Sequence, residues 1–486
     1  ELPEPTYDNT FYFMPGVDDL GASSSQNQFD QVAEDLFSHF PRQGLYMHRG
    51  VTILDAVTDG NYDSFATEAA SKAELAGMAI GFHVGVTCHH GHGELDVVRL
   101  VDRRNNQWDS DGSVFNTGHD DKSTVTMSRY AQDVVTIRKN RALGHGEGFA
   151  EALTQFPNTV VCINGPIEAE LRRAGPGEEH YADYSPFAVK EFRDWICHTG
   201  IYDDAEGEFR GQGVPLELIG GADFSNDPSP SLSLADNLSF NEVFETDFTT
   251  WELKYWDPDE HPSLLPMSAD PMPQPGQVGY IDNGFDPPRD DNGELSGGNE
   301  LFKTIWDGWR SNNYFGYKTG YGFRQNLVQR YVEDNSRWLH EGGAPVSRSF
   351  THQIPVDFIG NWIRERSSAS PFWTAINDYS NVGYTAFFDT TLQQDLFHVT
   401  QQLSPRWGLF EYHPDPFMEQ DSEYYETAMN HLYQNRCKIV VPLTLYADSQ
   451  GNYKLIDSPF ETGFNSYFAR NFPDASGRLF DQPYYN

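Results

Sequence analysis

Residues 407–446, WGLFEYHPDPFMEQDSEYYETAMNHLYQNRCKIVVPLTLY, contain the pattern that decides the fold. An apolar run at 407–413 is followed by a polar stretch, a helical pattern over 419–434 and a second apolar run at 438–446. A strand that is followed by a helix and then by another strand is typical of βα units, which build parallel sheets. This stretch therefore predicts an α/β fold.

The same alternation recurs along the rest of the chain, with helical patterns at 29–39, 62–76 and 186–198, the last of which starts at Ser185 and Pro186. The predicted strands are 10–14, 45–49, 79–86, 159–164, 347–352, 384–389, 407–413 and 438–446. Eight strands with helices between them match the (β/α)₈ TIM barrel, and an open doubly wound sheet is the alternative. The sequence contains no GxGxxG or GxxxxGK[ST] motif, so it does not favour a dinucleotide or nucleoside triphosphate site.

One connection between predicted strands is much longer than the others. Residues 172–346, after the fourth strand, are predicted to form an elaborated βα loop region, since long loops at a barrel mouth usually shape the binding cleft. We expect a catalytic barrel over 1–450 that includes this insertion, and an irregular C-terminal wrap over 451–486.

The composition is strongly acidic. The chain has 72 acidic and 33 basic residues, which gives a formal net charge of −39. This balance argues against a nucleic-acid partner, because phosphate binding needs clustered Lys and Arg. Only nine of the basic residues are lysines. Such a surface suits a marine or saline origin, since salt screens its self-repulsion, and an unspecialised acidic protein is the alternative.

Four cysteines lack CxxC spacing, so they signal neither a zinc ribbon nor a redox pair. They predict buried free thiols, and one disulfide is the alternative. No apolar run reaches the length of about 18 residues that a membrane span needs, so we expect no membrane contact.

The sequence begins with Glu1 and not with Met, which is compatible with a removed signal peptide. We expect a secreted or periplasmic protein, and a homo-oligomer stays an open alternative.

Three glutamates lie where a barrel enzyme carries its chemistry, at the carboxyl ends of strands. Glu411 ends the seventh predicted strand, and Glu168 and Glu170 follow the fourth. Each of them has a structural alternative. For Glu411 it is an ion pair with an arginine at the strand end, and for Glu168 and Glu170 it is a place in the first turn of a helix, where the backbone dipole favours an acid. Glycoside cleavage needs two carboxyl groups, one to protonate the leaving oxygen and one to attack the anomeric carbon. The fourth and seventh strands face each other across a barrel, so their carboxylates can converge.

The order of these motifs resembles clan A of the retaining glycoside hydrolases, and most of all the family 42 β-galactosidases and their marine relatives. Helix 186–198 and the stretch NEVFETDFTTWELKYWD at 241–257 are similar to family segments. The resemblance implies Glu411 as the nucleophile, and it implies substrate-binding roles for Arg49, His83 and Asn164.

The sequence departs from the clan at the acid/base. Clan members carry Asn directly before this glutamate, whereas Gly165, Pro166 and Ile167 separate Asn164 from Glu168. The string GPIEAELR at 165–172 also resembles the GPxxELR motif of β-amylases, which selects Glu170. Glu170 is therefore preferred as the acid/base, and Glu168 stays the alternative.

Polar and aromatic residues near the other strand ends are candidates for sugar binding or stacking, among them His48, His352, Trp373, Asn377, Tyr384, Asp389, Tyr412 and His413. Tyr384 is preferred, because the clan often places a tyrosine near the nucleophile. The stretch CHHGHGE at 88–94 contains metal-ligand residue types, but its spacing fits no zinc signature. We therefore predict neither a metal nor a cofactor.

These observations predict a glycoside hydrolase that cleaves a β-linked sugar with retention, on an oligosaccharide or polysaccharide substrate. The resemblance and the charge favour a β-galactoside or a marine galactan oligosaccharide. A β-mannosidase or β-glucosidase specificity is the nearest alternative. A carbohydrate-binding barrel without catalysis and a metal-dependent hydrolase or lyase are alternatives from other classes.

Overall fold

The computed structural model describes part of the chain in detail: residues 11–17, 20–41, 47–53, 62–84, 105–107, 128–167, 183, 185–214, 322–355, 371–387, 390, 394–404, 406–413, 420–446 and 454–471. For residues 47–53, 62–63, 167, 186, 189–190, 193, 387 and 413 the description covers the backbone alone.

The strands form one parallel sheet, and each predicted strand corresponds to one of them. They are β1 (Phe11–Phe13), β2 (Gly16–Val17), β3 (Met47–Ile53), β4 (Ala79–His83), β5 (Val160–Ile167), β6 (Ser349–His352), β7 (Gly383–Phe387), β8 (Gly408–His413) and β9 (Ile439–Pro442). Their order is β6-β5-β4-β3-β1-β9-β8-β7, and the short β2 pairs with β3. The predicted α/β class with parallel strands is confirmed.

The two ends of this strand order also contact each other. Parallel bridges join Phe350 to Asn381 and Gln353 to Tyr384. The amide of Thr385 in β7 donates to the carbonyl of Gln353, just after β6, at 2.8 Å. Strands β6 and β7 are therefore hydrogen-bonded neighbours at these positions.

The helices of the described residues are α1 (Gln26–His39), α2 (Tyr62–Leu75), α3 (Gln132–Gln155), α4 (Pro186–Cys197), α5 (Phe323–Glu341), α6 (Gln394–Leu403), α7 (Ser422–Gln434) and α8 (Pro459–Asn471). Local sequence explains several starts. The Ser185 hydroxyl accepts from the amide of Ala188 at 3.3 Å, and a proline at the first helical position needs no amide partner. Asp421 caps α7 in the same way. The predicted helix start at Ser185 and Pro186 is confirmed.

The sheet has an apolar core on each face. One face buries Tyr12, Met14, Ala79, Val161, Cys162, Phe350, Phe410, Ile439 and Val441 against each other. Alternate residues, such as Ile80 and Phe82, pack against the helices in a larger cluster. Because successive side chains of a strand point to opposite faces, a polar residue in register with the first set lies on the same face as that set.

The C-terminal segment differs from its prediction. Residues 451–486 were expected to be irregular, but their described part contains α8. This helix buries four aromatic residues: Phe460, Phe464, Tyr467 and Phe468. The ring centroid of Phe464 lies 4.2 Å from that of Phe13 in β1. The prediction of an irregular segment is wrong for residues 459–471, because the helical spacing of these aromatic residues lets the segment complete the core beside α1 and α7.

The prediction of buried cysteines is confirmed for the three that the structure describes. Cys162, Cys197 and Cys437 are buried, and burial raises the pKa of Cys162 and Cys437 to about 12. Cys88 lies outside the described residues. Among the helices that the structure describes, none combines the length and apolar character needed to cross a membrane.

Candidate active site

Polar side chains from four strands meet on the face of the sheet that is turned away from the helices, near the carboxyl ends of the strands. They are His83 in β4, His352 in β6, Thr385 in β7 and Glu411 in β8. The imidazole rings of His83 and His352 are almost perpendicular, and their centroids are 4.8 Å apart. Asn164 in β5 is in register with His83, so it faces the same side.

His352 is at the centre of this group. Its Nε2 lies 2.6 Å from the hydroxyl of Thr385 and 3.5 Å from Oε2 of Glu411. The His352 side chain is fully buried, whereas that of Glu411 is 20% exposed. The carboxylate is therefore held against a buried imidazole while it is still accessible to solvent.

An extra residue in β8 explains how Glu411 faces His352. One step along β7, from Tyr384 to Thr385, corresponds to two steps along β8, from Leu409 to Glu411. The pairing with β9 shows the same shift in this part of β8. Such a bulge changes the direction of a side chain and is common beside active sites. As a result Phe410 and Glu411 both face His352, and the ring centroids of Phe410 and His352 are 6.4 Å apart.

Two buried groups of the site have no hydrogen-bond partner within the described part of the protein. They are the Asn164 amide, at both its oxygen and its nitrogen, and Nδ1 of His83. Asn164 is fully buried and His83 is nearly so. Unpaired buried polar groups cost about 1–3 kcal/mol each, so their presence on the face that also carries Glu411 suits the binding of a polar ligand.

Burial also controls the charge of this site. Desolvation lowers the pKa of His83 to about 3, because the interior disfavours the imidazolium. At neutral pH His83 is therefore a neutral imidazole, which offers one hydrogen-bond donor and one acceptor.

The predicted acid/base residues lie outside the described residues. Glu168 and Glu170 directly follow Ile167, the last residue of β5. The register of β5 against β6 shifts between Asn164 and Ile167, as in β8. Gly165 passes so close to β4 that an added Cβ would lie 2.7 Å from Cγ2 of Val84. The residues that separate Asn164 from Glu168 thus contain a second irregularity, and the glycine is required there by close packing.

Arg49 and His413 are described by their backbones alone. Arg49 pairs with Phe13, and His413 pairs with Phe387 at the end of β7. His48 is described by its backbone, and Asp389 lies outside the described residues.

Tyr384 and Trp373 are not brought to this site. Tyr384 is fully buried in the core between sheet and helices, and its hydroxyl donates to the carbonyl of Phe372 at 3.1 Å. Trp373, in the 3₁₀ helix Phe372–Ala375, packs against the same core. The reason is strand alternation: Thr385 faces His352, so its neighbour Tyr384 faces the helices. The sequence analysis selected Tyr384 and missed Thr385, whose hydroxyl contacts His352.

Two further candidates, Tyr412 and Asn377, also lie away from Glu411 and His352 or face the opposite side of the sheet. Tyr412 is buried in the helix-side core. Asn377 donates to the hydroxyl of Ser380 at 3.0 Å and precedes β7, so it lies at the opposite end of the sheet from Glu411.

Among the residues whose placement the structure describes, one group has the spacing of a metal site: His39, Asp457 and Glu461. Nδ1 of His39 lies 3.1 Å from Glu461, which makes the contact an ion pair between α1 and α8 when His39 is protonated. His39 ends α1, which runs back from the carboxyl end of β1, so this group is remote from Glu411. The stretch at 88–94 lies outside the described residues.

Comparisons with known proteins support the fold. No protein-family model matches the sequence, and a search of curated proteins found no match. Similar solved structures include a β-galactosidase from the psychrophilic Marinomonas ef1, with a TM-score of 0.51 and 9% identity over 94% of this chain. This chain spans 59% of that protein's length. The catalytic domain of a β-amylase from Paenibacillus polymyxa has a TM-score of 0.50 and 14% identity, with 96% of this chain and 99% of that one covered. The chain therefore shares the α/β fold of these two solved structures.

Proposed function

We propose that this protein is a glycoside hydrolase that cleaves β-linked sugars with retention. One observation carries the proposal: the accessible carboxylate of Glu411 lies beside the buried His352, within 3.5 Å, at the carboxyl end of the sheet. Catalytic groups occupy this end in barrel enzymes. The unpaired polar atoms of Asn164 and His83 on the same face suit the hydroxyl groups of a sugar.

We further propose that the strands close into a (β/α)₈ barrel with its insertion over 172–346. The bridges between β6 and β7 support closure. The placement of His83, His352 and Glu411 supports it as well, because they come from β4, β6 and β8. Side chains of one interior layer come from alternate strands in such a barrel.

The reaction assigned to these residues has two steps. An oxygen of Glu411 forms a bond to the anomeric carbon as the glycosidic C–O bond breaks, and Glu170 (or Glu168) transfers its proton to the leaving oxygen. The same residue then takes a proton from water, whose oxygen attacks the anomeric carbon and releases Glu411 as a carboxylate. This chemistry needs the two carboxyl groups about 5–5.5 Å apart.

The proposed substrate is a β-galactoside, such as a galactan oligosaccharide from a marine source. The structural likeness to a β-galactosidase and the charge of −39 support this choice. A β-mannoside or β-glucoside is the nearest alternative. We propose a secreted or periplasmic location.

A panel of aryl β-glycosides with galacto, gluco and manno configuration tests the proposal. We expect hydrolysis of at least one sugar by the native protein and its loss in Glu411→Gln, by a factor of about 10⁴ or more, since removing a covalent nucleophile costs this much. Glu461→Gln is the matched control, because Glu461 also contacts a histidine and its side chain is 19% exposed. The control should keep full activity.

Two results would contradict this proposal. The first is binding of sugars without any product, which would favour a carbohydrate-binding barrel. The second is activity that persists in Glu411→Gln but disappears with a chelator and returns with zinc, which would favour a metal-dependent enzyme.

A further inference from the structure

We propose that His352 is a positioning residue that holds the carboxylate of Glu411 in place through its Nε2–H group. This inference rests on the proposed function, and it assigns His352 a role toward the nucleophile rather than toward the sugar.

The two contacts of Nε2 differ in what they require of the histidine proton. Nε2 lies 3.5 Å from Oε2 of Glu411 and 2.6 Å from Oγ1 of Thr385. An ionised carboxylate only accepts hydrogen bonds, so the contact with Glu411 is attractive only if Nε2 carries a hydrogen. A threonine hydroxyl can accept as well as donate, so it can share the same N–H. The Nε2–H form of His352 is therefore the one that the contact with Glu411 favours and that the contact with Thr385 permits.

The position of this imidazole is well restrained. The centroid of the His83 ring lies 4.8 Å from that of the His352 ring, and the centroid of the Phe410 ring lies 6.4 Å away. The hydroxyl of Thr385 contacts Nε2. The side chains of His352 and Thr385 are fully buried. A donor that cannot rotate away restricts the carboxylate that it contacts, and such preorganisation keeps a nucleophile in the geometry of attack.

The proton of His352 stays on Nε2 throughout the reaction. In the first step Glu411 loses its negative charge as its oxygen bonds to the anomeric carbon. In the second step that bond breaks, its electron pair returns to the carboxylate, and the N–H group stabilises the charge that develops. His352 therefore helps to orient Glu411 for attack and helps it to leave.

A purely structural role for His352 makes a different prediction, because a buried residue that only packs would affect folding and leave turnover unchanged. Three variants separate the two roles. His352→Leu removes the donor, and His352→Gln keeps an N–H donor on a side chain of similar reach. His145→Leu is the control, since His145 is also buried and neutral, with its pKa lowered to about 3, but it belongs to α3 in the helix layer.

The experiment measures kcat and KM on the best aryl glycoside, the rate of inactivation by the matching 2-deoxy-2-fluoro dinitrophenyl glycoside, and the Tm of each variant. We expect kcat and the inactivation rate to fall about 10²-fold in His352→Leu with little change in KM, since misplacing a reacting group costs about this much. In His352→Gln at least a tenth of the native kcat should return, and His145→Leu should lower Tm without changing kcat.

Native kcat and native inactivation by the fluoro sugar in His352→Leu would overturn this inference and leave the proposed function intact. Failure of the native protein to hydrolyse or to be inactivated by any of the sugars would overturn both. The two failures are therefore distinguishable in one set of measurements.

Discussion

The imidazole rings of His83 and His352 meet at an angle of 80°, with 4.8 Å between their centroids. They come from β4 and β6, which are separated in the sheet by β5. This contact places two histidines side by side in the interior of a protein whose surface is strongly acidic. Burial of histidines affects the behaviour of the protein in acid.

Stability should fall as the pH falls below about 6.5. Burial lowers the folded-state pKa of His83 and His145 to about 3, whereas in the unfolded chain both titrate at the ordinary value of 6.5. Between these values the unfolded state binds more protons, so acid favours unfolding. Each histidine then contributes a slope of up to about 1.4 kcal/mol per pH unit.

Urea unfolding of native protein and His145→Leu between pH 7 and pH 4 checks this expectation. The free energy of unfolding should depend less steeply on pH in the variant, which lacks one of the two histidines. Equal slopes would show that His145 is not held neutral.

Gly146→Ala should destabilise the protein by about 1–3 kcal/mol, the range for overpacked sites. Helix α3 touches the C-terminal end of α5 and its cap residue Gly342. A Cβ at residue 146 would overlap the carbonyl oxygen of Leu339 and lie 2.9 Å from Cα of Gly342. Because these neighbours are backbone atoms, they can move only if the helices separate. Thermal unfolding measures the effect.

Gly21→Ala is the control, since its added Cβ would lie at an ordinary 3.6 Å from Phe65. Its Tm should stay within one or two degrees of the native value. A native Tm for Gly146→Ala would mean that the two helices are not in such close contact.

Neighbouring residues of β7 should respond differently to loss of a hydroxyl. Tyr384→Phe removes the hydrogen bond to Phe372, and it should cost about 1 kcal/mol of stability without loss of glycosidase activity. Thr385→Val removes the hydroxyl that contacts His352, and it should lower kcat about tenfold or more, as expected when the group that orients His352 is lost.

Steady-state kinetics and urea unfolding of both variants make the comparison. Thr385→Ser, which restores a hydroxyl, should return most of the lost kcat. If Tyr384→Phe were the variant with the lower kcat, the assignment of the two faces of β7 would be wrong.

Salt should stabilise the protein. A net charge of −39 repels itself in the compact state, and at about 1 M salt the screening length falls to about 3 Å. We expect Tm to rise steadily between 0.05 M and 1 M NaCl, about the range over which screening of surface charge becomes complete. Differential scanning calorimetry at pH 7 and at pH 4 provides the test, since protonation of carboxylates should weaken the effect at pH 4. A Tm that falls with NaCl at pH 7 would contradict the prediction.

The sequence predicted much of the fold because the relevant signals are local. All eight predicted strands have a counterpart, since each is an apolar run between polar segments. The start of α4 at Ser185 and Pro186 depends on two adjacent residues, and it too was predicted. Helix α8 was missed, although four of its aromatic residues are buried, because its polar positions gave the segment a weak pattern.

The site was predicted only in part. Glu411 and His352 were selected from their places near strand ends, and His83 and Asn164 were implied by the family resemblance. The structure puts all four on one face. Thr385 was missed and Tyr384 preferred, because the resemblance favoured a tyrosine and the face of a short strand is not visible in its composition.

By itself, the sequence determined which segments become strands, which residues occupy their carboxyl ends, and that the surface is acidic. These properties follow from residue type and spacing along the chain. Only the tertiary structure decided that Glu411 contacts His352 and that Tyr384 turns toward the helices. The bulge at Phe410 and Glu411 arises from pairing with two neighbouring strands, and a shift of one residue in that pairing reverses the face on which a side chain lies.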